Sequence, residues 1–173
     1  MQRRLCVLLV MALLLPLTVL VATPAQAQGG AVCTFAADFR VLPGFSSTPS
    51  RGTFTTGGET GTVDCVGLVF GQEVIGAGTF GFEGEYGTGP SGGDTCSDGQ
   101  GRGTFSMHIP TSLGRVHAQG TFTEAFVGNG GQFVGQSPVM EISCLYEFRP
   151  TQGDCVTTPA RAETMTGQGG IVA

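Results

Sequence analysis

The two histidines of the chain, His108 and His117, are the residues whose spacing most readily suggests chemistry. They flank the turn sequence 110–114, on the polar faces of two strands that we predict to be neighbours. One possible register places them opposite each other, within reach of one metal ion. A catalytic zinc usually has three protein ligands, and Glu124 lies too far along the second strand to be an obvious third. We therefore predict two surface histidines, with His108 and His117 as the only candidate metal ligands, and expect no cofactor.

Acidic residues form two further candidate groups. Glu83 and Glu85 are two apart on one predicted strand, so they share a face, with Glu73 further along. Paired carboxylates could serve glycoside hydrolysis, but no aromatic platform for a sugar is interleaved with them, so we favour a charged outer face. Asp94 and Asp98 lie in a Gly-rich tract that has the flexibility of a calcium loop but not its D-x-D-x-D-G spacing, which favours an ordinary surface loop.

The sequence also offers no convincing nucleophile. The segment 135–138, Gly-Gln-Ser-Pro, is not the G-x-S-x-G turn that exposes a catalytic serine. Every one of the eight basic residues is arginine, and a chain without lysine has neither Schiff-base nor P-loop chemistry. We therefore predict no catalytic residues and favour a non-enzymatic protein over an enzyme.

The first 27 residues have the features of a secretory signal peptide. An arginine pair precedes the apolar run Leu5–Leu15, and Ala25-Gln26-Ala27 supplies a small-x-small cleavage site. A membrane anchor is the alternative, since apolar residues continue to Ala22, but the proline after the run and the cleavage site favour a signal. We expect a secreted, extracellular protein with one domain, residues 28–173, and no stable membrane insertion after cleavage of the leader.

The composition of the mature chain excludes several classes. Two of the eight arginines lie in the leader, so six remain against 13 acidic residues, a formal charge of −7. A chain this acidic lacks the basic surface that nucleic acids and anionic lipids require. The 30 glycines show no G-X-Y period, which excludes collagen, and 12 phenylalanines argue against a disordered chain.

Five cysteines remain after cleavage of the leader, so at least one has no partner within the chain. Export predicts two disulfides. We predict that Cys144 pairs with Cys155 across a hairpin and that Cys65 pairs with Cys96, which leaves Cys33 over. A competing scheme pairs Cys33 with Cys144, because both fall on the apolar faces of their strands.

Alternation of apolar and polar residues predicts strands through most of the mature chain, with breaks at Gly- and Pro-rich turns. The tripeptide Gly-Thr-Phe recurs at 52–54, 78–80, 103–105 and 120–122. Within it, Thr and Phe point to opposite faces, and the glycine allows a bend or a close approach. We predict an all-β fold, an antiparallel barrel of about 8–10 short strands, with a β-sandwich as the alternative, because closure removes exposed edges.

The inward faces of these strands carry large apolar side chains. If the barrel is hollow, they form a ligand-binding lumen; if it is filled, they are core packing, which is the commoner state of small barrels. The residues concerned are Phe80, Phe82, Tyr86, Phe105, Met107, Phe122 and Tyr146.

One segment resembles a known family. Residues 127–133 read Val-Gly-Asn-Gly-Gly-Gln-Phe, similar to the V-G-G-T-G-x-F segment of allene oxide cyclase and dirigent-like barrels. The resemblance implies an eight-stranded barrel that binds an apolar small molecule in its lumen. The chain departs from the pattern at Asn129 and Gly130 and again at 136–138, and no catalytic position of the family can be matched.

Three functions are consistent with these observations. The first is a secreted, non-enzymatic binding or surface-exposed module whose partner is an unidentified protein or an apolar small molecule. The second is a carrier or isomerase-type barrel, allene oxide cyclase-like, with an apolar lumen. The third is a small secreted inhibitor that presents the segment Gly89–Gly103 as a rigid loop.

Overall fold

The chain folds into ten β-strands in a computed structural model that describes residues 30–90 and 92–173. The strands are β1 (Gly30–Phe45), β2 (Gly52–Thr55), β3 (Gly61–Val69), β4 (Gln72–Glu73), β5 (Gly78–Tyr86), β6 (Asp98–Thr111), β7 (Gly114–Val127), β8 (Gly130–Gln136), β9 (Glu141–Gln152) and β10 (Ala160–Val172). Across these ranges there is no helix that could cross a membrane. The predicted signal peptide, residues 1–27, lies outside the described residues.

The strands close into a ring of eight antiparallel positions in one sheet. β1 pairs with β10 on one side and with both β2 and β3 on the other, and β5 pairs with the same two strands. β2 and β3 therefore lie end to end in a single position, while β5 to β10 follow in chain order. The predicted barrel is confirmed and the sandwich is excluded. Several strands are longer than we expected, since β1 alone has 16 residues.

Burial alternates along the strands as the sequence predicts. In β1 the buried positions include Cys33, Phe35 and Val41, with exposed residues between them. The segment 62–70, whose apolar residues fall on both faces, could have been a strand covered on both sides. It is not, because Val66 is 81% exposed on the outer wall. One covered face is sufficient for a strand of a filled barrel.

Inside the barrel, aromatic rings repeatedly lie opposite glycines of the neighbouring strand. The pairs in register are Phe35–Gly167, Gly61–Phe80, Gly52–Tyr86, Phe54–Gly84, Tyr86–Gly101, Gly99–Phe126, Gly103–Phe122, Phe105–Gly120, Phe122–Gly135, Phe126–Gly131, Gly131–Tyr146 and Tyr146–Gly167. The Gly-Thr-Phe repeats produce much of this pattern, because their Gly and Phe are two apart and so share the inward face.

Gly131 shows why the glycine is needed. A Cβ added there would lie 2.5 Å from the ring of Tyr146 and 2.8 Å from the carbonyl oxygen of Ala125, too close for either neighbour. The ring takes the space that a side chain would occupy, which is how an aromatic residue compensates for a glycine in a sheet. The curved wall and its filling are thus made by the same residue pairs.

The interior is filled by side chains. The seven residues that we placed on the inward faces are all buried, with exposed fractions between 1% and 9%. Rings such as Phe82 and Phe122 contact each other at a centroid distance of 6.3 Å. The cavity that remains among the rings has a volume of about 20 Å³, far below the 300–1,000 Å³ typical of ligand pockets.

The disulfides differ from those we predicted. Cys33 bonds to Cys65, Cys96 bonds to Cys155, and Cys144 is a buried free thiol. The proposed pairs Cys65–Cys96 and Cys144–Cys155 are both wrong.

Strand pairing explains each correction. Cys33 and Cys65 face each other in register across β1 and β3. Cys144 lies opposite Gly169 within the ladder of β9 and β10, whereas Cys155 lies in the loop beyond it. The competing pair Cys33–Cys144 fails because Gly169 of β10 lies between the two cysteines.

The close fit of rings over glycines predicts that substitutions at two neighbouring glycines lower the free energy of unfolding by different amounts. Gly131→Ala should lower the free energy of unfolding by about 1–3 kcal/mol, the usual cost of overpacking, measured by urea denaturation. Gly130→Ala is the matched control, because a Cβ there meets its nearest described neighbour at 3.8 Å. Equal losses for the two variants would contradict the pairing of ring and glycine.

The disulfide assignment predicts a definite peptide map. Trypsin alone leaves Cys65 and Cys96 on one fragment, so cleavage after glutamate is needed to separate them at Glu73. Under non-reducing conditions, mass spectrometry should find the Cys33 peptide linked to the Cys65 peptide. Recovery of a Cys65–Cys96 link would contradict the structure.

Candidate functional site

The short loop between β2 and β3, residues 56–60, lies across the outer face of β5. Thr56 fixes the loop, since its backbone N–H donates to the carbonyl of Phe82 at 3.0 Å and its hydroxyl accepts the N–H of Phe82, also at 3.0 Å. Gly81 makes the crossing possible, because a Cβ there would collide with the backbone of Gly58. The loop therefore projects Glu59 over the neighbouring strands.

The two histidines meet on the outer wall in the register that the sequence allows. His108 of β6 lies directly opposite His117 of β7, because the strands are joined by a tight turn in which Thr111 pairs with Gly114. Their imidazole rings are stacked, with centroids 4.2 Å apart and planes 9° from parallel. His117 is the more exposed of the two.

Glu59 completes a cluster with both histidines. Its Oε2 is in close contact with Nδ1 of His108 and accepts a hydrogen bond from the hydroxyl of Thr79 at 3.1 Å. Its Oε1 lies 4.0 Å from Nε2 of His117. Three donor atoms from two strands and a loop thus converge on one point.

The surroundings of Glu59 favour its ionised form. Burial acts to raise the pKa of Glu59, but hydrogen bonds to His108, Ser106 and Thr79, together with the charge of His108, outweigh it. The pKa of Glu59 therefore lies below its ordinary value. A carboxylate that stays ionised beside two imidazoles is ready to accept a cation.

The donor set fits a transition-metal ion. The ligand atoms of Glu59, His108 and His117 all lie within 4.8 Å of one another. Around a tetrahedral zinc with bonds of 2.0–2.1 Å, ligand atoms are about 3.4 Å apart. A metal would therefore replace the contact between Glu59 and His108 and draw Nε2 of His117 closer, and the stacked rings would turn so that their nitrogen lone pairs point at the ion. Two imidazoles and one carboxylate form a set that zinc proteins use, with a fourth position left open.

The other acidic candidates are either exposed on the outer wall or hydrogen-bonded within the Gly-rich loop. Glu83 and Glu85 are both exposed on β5, and Glu85 has a weak ion pair with Arg102 at 3.6 Å. Asp94 is buried, and its Oδ2 accepts the N–H groups of Gly87 and Gln100 at 2.7 and 3.0 Å. Asp94 therefore holds the Gly-rich loop together from within.

The side chain of Ser137 stabilises a turn. Its hydroxyl accepts the N–H groups of Val139 and Met140 at 3.2 and 3.0 Å, between β8 and β9. These bonds stabilise the turn in the manner of a Ser side chain that satisfies nearby backbone groups.

Glu59 is the site residue that the sequence interpretation missed. It lies in a Gly-Gly turn that we took only as a break between strands, and nothing in its spacing links it to residues 108 and 117. The available signal was indirect: Gly81 interrupts an alternating strand, and such a glycine often marks the close approach of another backbone segment.

Comparisons of the chain with protein-family models, with curated proteins and with solved structures gave no match.

The contact between Glu59 and His108 predicts a change in the titration of the carboxyl group. His108→Ala should raise the pKa of Glu59, because it removes both a hydrogen bond and a positive charge; carboxyl ¹³C chemical shifts followed against pH would measure it. His117→Ala is the control and should change this pKa less, since its nitrogen is 4.0 Å away.

The lowered pKa of Glu59 determines how its contribution to the stability of the barrel changes with pH. The contribution of the ionised Glu59 is complete above its ordinary pKa of 4.5 and is lost as the pH falls through the lowered value. A pKa for Glu59 that is the same with and without His108 would contradict the described contact.

Proposed function

We propose that this chain is an extracellular, non-enzymatic binding protein whose ligand is a divalent transition-metal ion, with Zn²⁺ the best match. The observation that carries the proposal is the convergence of Glu59, His108 and His117 on the outer wall. Their nitrogen and oxygen donors suit zinc, copper or nickel, whereas calcium and magnesium prefer oxygen ligands alone.

Metal binding would need rotation of the stacked imidazole rings but no rearrangement of the strands that carry them. His108 and His117 are fixed by the register of two long strands, and only Glu59 lies on a loop. Hydrogen bonds to Thr79 and Ser106 already orient the carboxylate, which reduces the entropy lost when a metal binds.

Binding is favoured over catalysis by what surrounds the cluster. Thr79 pairs with His108, and Glu83, the next acid on that strand, is four residues further along, a distance of about 13 Å. A carboxylate at that distance cannot act as a base towards a metal-bound water.

The extracellular placement rests on several observations. Two disulfides tie the barrel, a feature of proteins from oxidising compartments. The signal peptide predicted for residues 1–27 agrees with them. The odd cysteine, Cys144, is protected inside the barrel, and burial raises its pKa to about 11, so the reactive thiolate is suppressed.

The two other functions receive less support. A cavity of about 20 Å³ is too small for the apolar ligand that an allene oxide cyclase-like barrel would hold. The Gly-rich loop is tethered by the Cys96–Cys155 disulfide and by Asp94, which gives it the rigidity of an inhibitor loop but no indication of a partner.

Zinc titration tests the proposal. Isothermal titration calorimetry at pH 7.5 should show one Zn²⁺ per chain, and the affinity should fall at least tenfold in His117→Ala and in Glu59→Gln. Zinc at 100 times its dissociation constant should stabilise the barrel by about 2.7 kcal/mol. The affinity should decrease towards pH 5, because protons compete for the imidazoles.

Two controls separate this site from non-specific binding. Glu85→Gln removes an exposed carboxylate from the same wall and should leave the zinc affinity unchanged. Calcium and magnesium should not stabilise the protein. Zinc binding of equal affinity in the wild type, His117→Ala and Glu59→Gln would disprove the proposed site.

A further inference from the structure

A second group of polar side chains lies inside the barrel, remote from the outer wall. The small cavity of about 20 Å³ is lined almost entirely by aromatic rings and Met165, yet two carboxyl groups, Glu124 of β7 and Glu163 of β10, also face it. Its volume is enough for one particle the size of a water molecule. Its remaining lining residues are Phe39, Phe45, Phe54, Phe82, Phe126, Tyr146 and Phe148.

Glu163 has a free oxygen that points into this space. The residue is only 1% exposed, and its Oε2 has no hydrogen-bond partner among the described residues. Glu124 is better satisfied, since its Oε2 accepts a hydrogen bond from the hydroxyl of Tyr146 at 3.0 Å. An unpaired buried oxygen costs free energy, so it calls for a partner from outside the chain.

The protein itself supplies no positive charge to this pair. The chain has no lysine, and all six arginines of the described segments are exposed. The two histidines, His108 and His117, are on the outer wall. The other titratable groups that face the pair from neighbouring elements are Tyr146 and Cys144 of β9 and Asp94 of the Gly-rich loop, none of which carries a positive charge.

The charge of the pair depends on pH in the range of extracellular fluids. Burial raises the pKa of Glu124 to about 7, with the hydrogen bond from Tyr146 opposing the rise and the charge of Asp94 adding to it. Burial also raises the pKa of Glu163 to about 7, and the charge of Glu124 adds to that rise. Because both values exceed the ordinary 4.5, this pair destabilises the barrel progressively as the pH rises from 4.5 to about 7. Above that range two carboxylates need compensation.

We propose that the cavity is an internal site for one small monovalent cation, of the size of K⁺ or NH₄⁺, held between Glu124 and Glu163. A water molecule would satisfy the free oxygen of Glu163 but would leave the negative charge uncompensated. A cation does both. Protons and the cation compete for the site, so the cation is bound at alkaline pH and released on acidification.

Thermal unfolding in different chlorides tests this site. With EDTA present to keep the outer wall free of divalent metals, the protein is melted at pH 8.5 and at pH 5 in KCl, NH₄Cl, NaCl or choline chloride of equal concentration. We expect the melting temperature at pH 8.5 to be higher by more than about 3 °C in KCl or NH₄Cl than in choline chloride, whose cation is too large to enter. The difference should vanish at pH 5.

Substitutions identify the residues on which the ion-specific difference in melting temperature depends. Glu163→Gln keeps the shape of the side chain but removes its charge, so it should abolish the ion-specific difference, and Glu124→Gln should do the same. Glu85→Gln, on the outer wall, should preserve it. Rubidium soaked into crystals at pH 8.5 should give an anomalous peak between Glu124 and Glu163.

Two results would overturn the proposal. Equal melting temperatures in all four chlorides at pH 8.5 would show that protons alone neutralise the pair. An ion-specific difference that persists in both Glu163→Gln and Glu124→Gln would place the cation elsewhere on the protein.

Discussion

The packing of an aromatic ring over a glycine of the adjacent strand is the interaction on which this barrel depends. A ring of eight strands encloses too little space for a side chain at every inward position, so alternate positions must be empty for their neighbours to be large. Phe126 over Gly99 and Tyr146 over Gly131 are two examples. A shift of one residue in any strand would turn rings outward, so the same pairs also specify the register.

The barrel interior is filled, and the polar cluster of Glu59, His108 and His117 lies on the outer wall, where a glycine is again essential. Gly81 faces outward, and the absence of its side chain lets the loop 56–60 lie directly on β5. Glu59 reaches the two histidines for that reason alone. The cluster of Glu59, His108 and His117 therefore depends on backbone packing at one position and on strand register at two others, and each can be changed without touching the core.

Alternation was sufficient to predict the strands, the inward rings and the possible pairing of His108 with His117, because these depend on local periodicity and on a short turn. The barrel was favoured over a sandwich only by the argument that closure removes exposed edges. The disulfides were not predictable in the same way. Cys33 meets Cys65 only because β1 pairs with β3 instead of its neighbour in sequence along that part of its length. Glu59 was missed because a loop that folds over a strand leaves no periodic trace in the sequence.

The ring closes through the pairing of β1 with β10, in which Gly30 lies opposite Val172. This ladder joins opposite ends of the described chain, and such non-local contacts slow folding, since a long loop must be ordered before the contact forms. During synthesis, β1 has no partner on that side until β10 has been made. The ring therefore closes only when β10 is available, and until then the first strand is an open edge that other chains or a chaperone could occupy.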